Sequence, residues 1–164
     1  MNKKISILII TMLGIGNSKY LPGTVASFVT CLIYILFYIF QISIIVLILN
    51  VIIIFIFSVY IIDKFNNSFS KVDAKEIVID EFIGQSIPIL TIYSFIEKNN
   101  LNYFIFLTLM SFILFRVFDI WKPYPINIID KYMKNGFGVI LDDIIAGIFS
   151  VLVFLIILMF INYV

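Results

Sequence analysis

The sequence predicts an all-α, polytopic membrane protein with four to five transmembrane helices and a short N-terminal helix before them. Three observations carry that prediction. Hydrophobic residues make up 63% of the 164 residues and charged residues only 13%, and the mean hydropathy of +1.17 lies far above the range of water-soluble domains. Two apolar runs, 43–62 and 144–162, are long enough to cross a hydrocarbon core of about 30 Å as helices. The cations are also unevenly shared between the connections. If five segments cross, Lys3, Lys4, Lys19, Lys64, Lys71, Lys75, Arg116, Lys122, Lys131 and Lys134 fall on one face and only Lys98 on the other. The crowded face is then the cytoplasmic one. A chain of this length forms one domain, 1–164.

The N-terminal stretch "MNKKISILIITML" has two lysines and then an apolar run, but no small-residue cleavage site follows. Residues 5–13 therefore read as a short buried or interfacial helix and not as a signal peptide. Gly14, Gly16, Pro22 and Gly23 mark a turn-rich connector. Apolar segments follow at 25–40, 43–62, 83–96, 102–118 and 144–162. Segment 83–96 is short and contains Pro88, so by length alone it could cross, re-enter or lie buried. Charge placement favours a crossing, because otherwise the cations of residues 115–125 move to the opposite face and the asymmetry collapses. The N-terminus is then inside and the C-terminus outside. Cys31 is the only cysteine, which excludes an internal disulfide and suits a small core residue. A net charge of +1 with no long basic stretch points away from a nucleic-acid partner.

Four polar stretches border hydrophobic helices on the one face: "GIGNSKYLPGT" (14–24), "VIDEFIGQ" (78–85), "FRVFDIWKPYP" (115–125) and "NGFGVILDDIIAGI" (135–148). Ionisable groups at such depth are costly to keep and mark a site or a pathway. Each also has a plainer reading. Asp80 with Glu81, and Asp142 with Asp143, precede helices, where an acid caps N–H groups and suits the helix dipole. Capping needs one acid, however, and both places have two. Arg116 could snorkel as an anchor, with Trp121 and Tyr124 as an aromatic belt, and the glycines of 14–23 are turn formers in any case. Against pure anchoring, the spacing of Arg116, Asp119 and Lys122 puts them on one helical face, at the end of a helix that Pro123 closes. Carboxylates hold hard cations, Arg grips phosphate oxygens with a fork, and Lys adds a point charge, so the set suits a metal-assisted phosphate site.

Absences narrow the chemistry. The chain has no histidine, which removes a phosphohistidine intermediate, a histidine general base and a histidine-ligated zinc. Cys31 has no downstream arginine in a phosphate-cradling loop. Neither a DxDx(T/V) acyl-phosphate motif nor a GxxxxGK(S/T) nucleotide loop occurs. Oxygen ligands and hard cations remain.

"PGTVAS" (22–27), "VIDEFIGQ", "FRVFDIWKPYPI" and "GFGVILDDIIAGI" together resemble, in order and over nearly the whole chain, the phosphatidylglycerophosphatase A family. One departure is Ala26, where the family's "PGTxGS" has glycine; no polar group is lost by it. The resemblance implies Mg²⁺-dependent hydrolysis of phosphatidylglycerophosphate, a lipid substrate, to phosphatidylglycerol and phosphate. The site would lie on the cytoplasmic face of a bacterial inner membrane. It implies Asp80, Glu81, Asp142 and Asp143 as metal ligands and Asp119 as a further ligand or general base. Arg116 and Lys122 would neutralise charge on the transferring phosphoryl group. Gly14, Gly16, Gly23 and Thr24 would offer backbone N–H groups to the phosphate, while Asp130 with Lys131 reads as a solvated pair. Two rivals stand beside this. A small cation transporter could use the carboxylates as a relay, but its acids belong at mid-helix, whereas these gather at helix ends. A CDP-alcohol phosphotransferase needs the spaced aspartates of DGxxAR…GxxxDxxxD, which are missing.

Overall fold

The structure, a computed structural model, describes residues 3–65, 75–96 and 100–163. Lys71, Lys98 and the side chain of Lys3, which entered the charge count, lie outside the described residues. All regular structure among the described residues is helical: α1 (Lys3–Ile10), a 3₁₀ turn (Ile15–Asn17), α2 (Pro22–Ile39), α3 (Ile44–Phe65), α4 (Ile79–Phe95), α5 (Leu101–Trp121), α6 (Ile126–Tyr132) and α7 (Gly136–Tyr163).

Four helices are long and apolar enough to cross a membrane, over Pro22–Ile39, Ile44–Lys64, Leu101–Trp121 and Gly136–Phe160. The segment that is ambiguous by length but favoured as a crossing by charge placement is α4. Its 17 residues span about 25 Å, short of a hydrocarbon core of about 30 Å, and it is packed against α2, α3, α5 and α7. Protein therefore encloses α4, whereas its neighbours leave many large apolar side chains exposed. Pro88 does not break it. Proline cannot donate to the carbonyl one turn back, and that carbonyl, Gly84 O, instead abuts α7 at Gly147, where a Cβ would collide with it.

Successive long helices alternate in direction, and both ends of the bundle are tied. At one end Asp63, near the close of α3, accepts a hydrogen bond from the Gly136 N–H that opens α7, at 2.5 Å. At the other end the Tyr93 hydroxyl of α4 donates to the Ile42 carbonyl at 2.6 Å, and the Asn100 N–H before α5 donates to the Tyr38 hydroxyl at 3.2 Å. Tyr38 also stacks on Phe104, with ring centroids 4.1 Å apart. Lys19, Lys64, Lys75, Arg116, Lys122, Lys131 and Lys134 all lie at the end where α2, α4 and α7 begin. The described residues of the opposite connections, 40–43, 96 and 100, include neither Lys nor Arg.

Several helices start earlier than their apolar runs. α2 begins at Pro22, since proline at a first helical position has no N–H to lose. α4 begins at Ile79, with Val78 as its N-cap residue, so Asp80 and Glu81 sit in the first turn. α7 begins at Gly136, not 144. Asp63 takes its first N–H, and Asn135 Oδ1 accepts from the Gly138 N–H at 2.8 Å. Asp142 and Asp143 consequently lie about two turns inside α7, which overturns the reading of that pair as helix caps. The short helix α6, hidden behind Pro123 and Pro125, was not foreseen.

Candidate active site

The N-terminal turns of α2 and α4, the last turns of α5 and the first turns of α7 meet in one buried cluster. Asp80 and Glu81 of α4 and Asp143 of α7 each bring one carboxylate oxygen within 4.8 Å of the others. Asp80 is only 8% exposed and Asp143 4%. The Glu81 N–H donates to Asp80 Oδ1 at 3.1 Å, while Glu81 Oε2 is buried with no hydrogen-bond partner among the described residues. Asp119 of α5 lies within electrostatic reach of Glu81 and Asp143. Buried anionic oxygens are costly unless they pair with a cation or coordinate a metal. An all-oxygen donor set, mutual reach and an unpartnered oxygen are what a hard cation requires, so these residues fit a metal ion.

Asp142, the fourth carboxylate expected there, is turned partly aside. Its Oδ2 meets Lys122 Nζ at 2.8 Å, and its Oδ1 is buried with no partner among the described residues. The cause lies at Lys122. Pro123 disfavours the right-handed helical conformation at the residue before it, and Lys122 adopts φ 45°, ψ 60° at the end of α5. The three charges therefore do not share one helical face. Arg116 Nη1 pairs with Asp119 Oδ2 at 2.7 Å, while Lys122 reaches across to Asp142 and, at 3.1 Å, to Asp130 of α6. Burial of the Lys122 ammonium favours its neutral form, but the Asp142 and Asp130 carboxylates outweigh that and raise it above the ordinary lysine range. Asp130 is thus no solvated partner of Lys131. It bridges Lys122 and, at 3.6 Å, Lys134, and Lys131 lies over the Tyr132 ring.

Close helix approach makes the cluster possible. A Cβ on Gly84 would lie 2.6 Å from the Asp143 carbonyl oxygen and 2.8 Å from Phe115 Cε2. A Cβ on Gly23, in the first turn of α2, would overlap Glu81 Oε1 and lie 3.4 Å from Arg116 Nη1. Small residues let helices approach this closely. Ser27, one turn on from Gly23, accepts a hydrogen bond from Arg116 Nη1 at 3.4 Å. The other glycines of the connector serve the backbone. Gly14 holds φ 96° before the 3₁₀ turn, and Gly16 packs on the Glu76 carbonyl, where a Cβ would not fit. Thr24 is half-buried beside Gly23. Trp121 and Tyr124 are 72% and 75% exposed, so the 115–125 stretch turns charges inward and aromatic rings outward. Ser27, Gly84, Gly147 and Asp63 were not singled out from the sequence. The glycines alone carried a usable signal, because glycine inside a helical pattern suggests close backbone approach.

The family model described as Phosphatidylglycerophosphatase A matches residues 8–158. The chain is 36% identical over 99 residues to the phosphatidylglycerophosphatase A of Haemophilus influenzae, covering 60% of this chain and 56% of that protein. It thus spans little more than half the length of that relative. It is 31% identical over 139 residues to the phosphatidylglycerophosphatase A of Escherichia coli, covering 84% and 74%. A Bacteroides thetaiotaomicron protein named "Putative phosphatidylinositol-3-phosphatase" is 30% identical over 148 residues, covering 88% and 87%. No solved structure matches. With the match running through all four polar stretches, the chain belongs to the phosphatidylglycerophosphatase A family.

Proposed function

We propose that the chain removes the phosphate of phosphatidylglycerophosphate at the cytoplasmic surface of a bacterial membrane, with Mg²⁺ as cofactor. The products are phosphatidylglycerol, a membrane lipid whose biosynthesis the reaction completes, and inorganic phosphate. The observation that carries this reading is a buried oxygen cluster, Asp80, Glu81 and Asp143, with a guanidinium and an ammonium beside it. These three residues would hold Mg²⁺, with the open oxygen of Asp142 next to them. A metal held there would supply charge neutralisation for the phosphate and polarisation of the phosphoryl oxygen.

The chain's own groups supply the rest. Arg116, anchored through Nη1, keeps a buried Nε with no partner among the described residues, which can join in gripping phosphate oxygens. Lys122 stays protonated and stabilises charge on the equatorial oxygens of the transferring group. Asp119 would either accept the proton of the attacking water or complete the ligand set. The Gly23 and Thr24 N–H groups, in the first turn of α2, would face the phosphate on the side of Glu81. Exposed Trp121 and Tyr124 suit interfacial depth and would keep the cluster level with lipid headgroups.

Purified protein in detergent should release phosphate from phosphatidylglycerophosphate, lose that activity with chelator, and regain it with Mg²⁺ or Mn²⁺. Full activity after exhaustive chelation would leave the carboxylates without a metal role. Phosphatidylinositol 3-phosphate belongs in the same assay, because the Bacteroides relative covers most of this chain under that substrate's name. Asp142 and Asp143, lying inside α7, lend the transport reading one observation; cation flux in proteoliposomes without phosphate release would favour it.

Orientation has its own test. Cys31 is buried and should stay silent toward impermeant thiol reagents. In intact cells a cysteine at Ser43, at the end remote from the cluster, should be labelled from outside, and one at Lys134 should not. The reverse pattern would put the site on the outer face.

A further inference from the structure

Building on the lipid-phosphatase reading, we infer that Ser27 is a positioning residue that sets the Arg116 guanidinium so that its Nε edge faces the phosphate. Ser27 lies on the second turn of α2 and is fully buried. A serine hydroxyl has one proton, and that of Ser27 goes to the Gly23 carbonyl at 2.9 Å. Toward Arg116 the hydroxyl can therefore only accept, and Nη1 donates to it at 3.4 Å. The same Nη1 meets Asp119 at 2.7 Å. Its two hydrogens thus have one partner each, from α2 and from α5.

That division leaves the rest of the guanidinium for something else. Nε is buried and has no partner among the described residues, and an unpaired buried donor costs more than a typical hydrogen bond returns. A planar fork of N–H groups matches phosphate oxygens in two-point contact. Asp119 sits on the same helix as Arg116, three positions away, and by itself leaves the guanidinium plane free to swing. A second hold from a different helix removes that freedom. Thr30, one turn beyond Ser27, is the internal comparison. It is equally buried and makes the same bond to a carbonyl one turn back, Ala26 O at 2.9 Å, but its hydroxyl meets no cation among the described residues.

The test is a double-mutant cycle on detergent-purified protein, read both as kcat on phosphatidylglycerophosphate and as affinity for inorganic phosphate. Ser27→Ala should lower kcat about five- to tenfold and weaken phosphate binding by a similar factor. In an Arg116→Ala background the same change should cost nothing further, because no guanidinium remains to be held. Thr30→Val should keep wild-type values. Ser27→Cys, which retains volume but is a weak acceptor, should reproduce the loss even if Ser27→Ala accumulates poorly. Wild-type kcat and phosphate affinity in both Ser27 variants, or equal losses with and without Arg116, would overturn the inference while leaving the phosphatase reading intact. A wild-type protein that neither hydrolyses a lipid phosphomonoester nor binds phosphate would overturn that reading and this inference with it.

Discussion

Asp143→Asn should reduce phosphate release by at least about a thousandfold while making the metal-free protein more resistant to heat. Asp143 is almost fully buried and shares a space with Asp80 and Glu81 in which their oxygens lie within 4.8 Å of each other. Like charges confined in a medium of low dielectric repel strongly, and an amide of the same shape relieves part of that repulsion. The gain should raise Tm by about 2–4 °C, the shift that roughly 1 kcal/mol produces in a chain of this size. Mg²⁺ should raise the Tm of the wild type by mass action and leave that of the variant nearly unmoved. The measurements are thermal melts in detergent with and without Mg²⁺, beside the phosphate assay. A variant less stable than wild type without metal would make the carboxylate a structural element, and wild-type activity would remove it from the site.

The parts of this protein that were legible in its sequence are those that the apolar background makes conspicuous. Runs such as 43–62 have no other use than spanning, and α3 follows that run within a few residues at each end. Paired acids and an Arg–Asp–Lys series stand out in a chain with so few charges. What the sequence obscured follows from the same contrast. Apolar patterning fades where site residues begin, so α4 and α7 start four and eight positions before their apolar runs. The misplaced start of α7 in turn made Asp142 and Asp143 look like caps. Partner choice was out of reach, since it depends on backbone turns and on long separations. Lys122 leaves its helix because of Pro123, and Ser27 meets Arg116 across 89 positions. No periodicity encodes either contact.

Gly84→Ala adds one methyl group and should nevertheless cost at least about a hundredfold in turnover. Helix propensity predicts the opposite sign, because alanine is favoured over glycine in a helix interior by about 1 kcal/mol. The loss must therefore come from outside α4. The new Cβ would lie 2.6 Å from the carbonyl oxygen of Asp143 and 2.8 Å from Phe115 Cε2, and Phe115 is itself fully buried in a core cluster with Ile126 and Ala146. Relief requires α4 and α7 to part. The atom struck belongs to Asp143 itself, so parting the helices draws that carboxylate away from Asp80 and Glu81. A misplacement of about 1 Å at a reacting centre costs on the order of a hundredfold, and the Mg²⁺ concentration for half-maximal activity should rise with it. Inside a membrane no hydrophobic force presses the two helices together again, because the lipid that would fill the gap is as apolar as the side chains. Gly84→Ala that accumulates normally with wild-type turnover and Mg²⁺ requirement would mean that the α4–α7 contact is looser than described and that the carboxylate cluster does not depend on it.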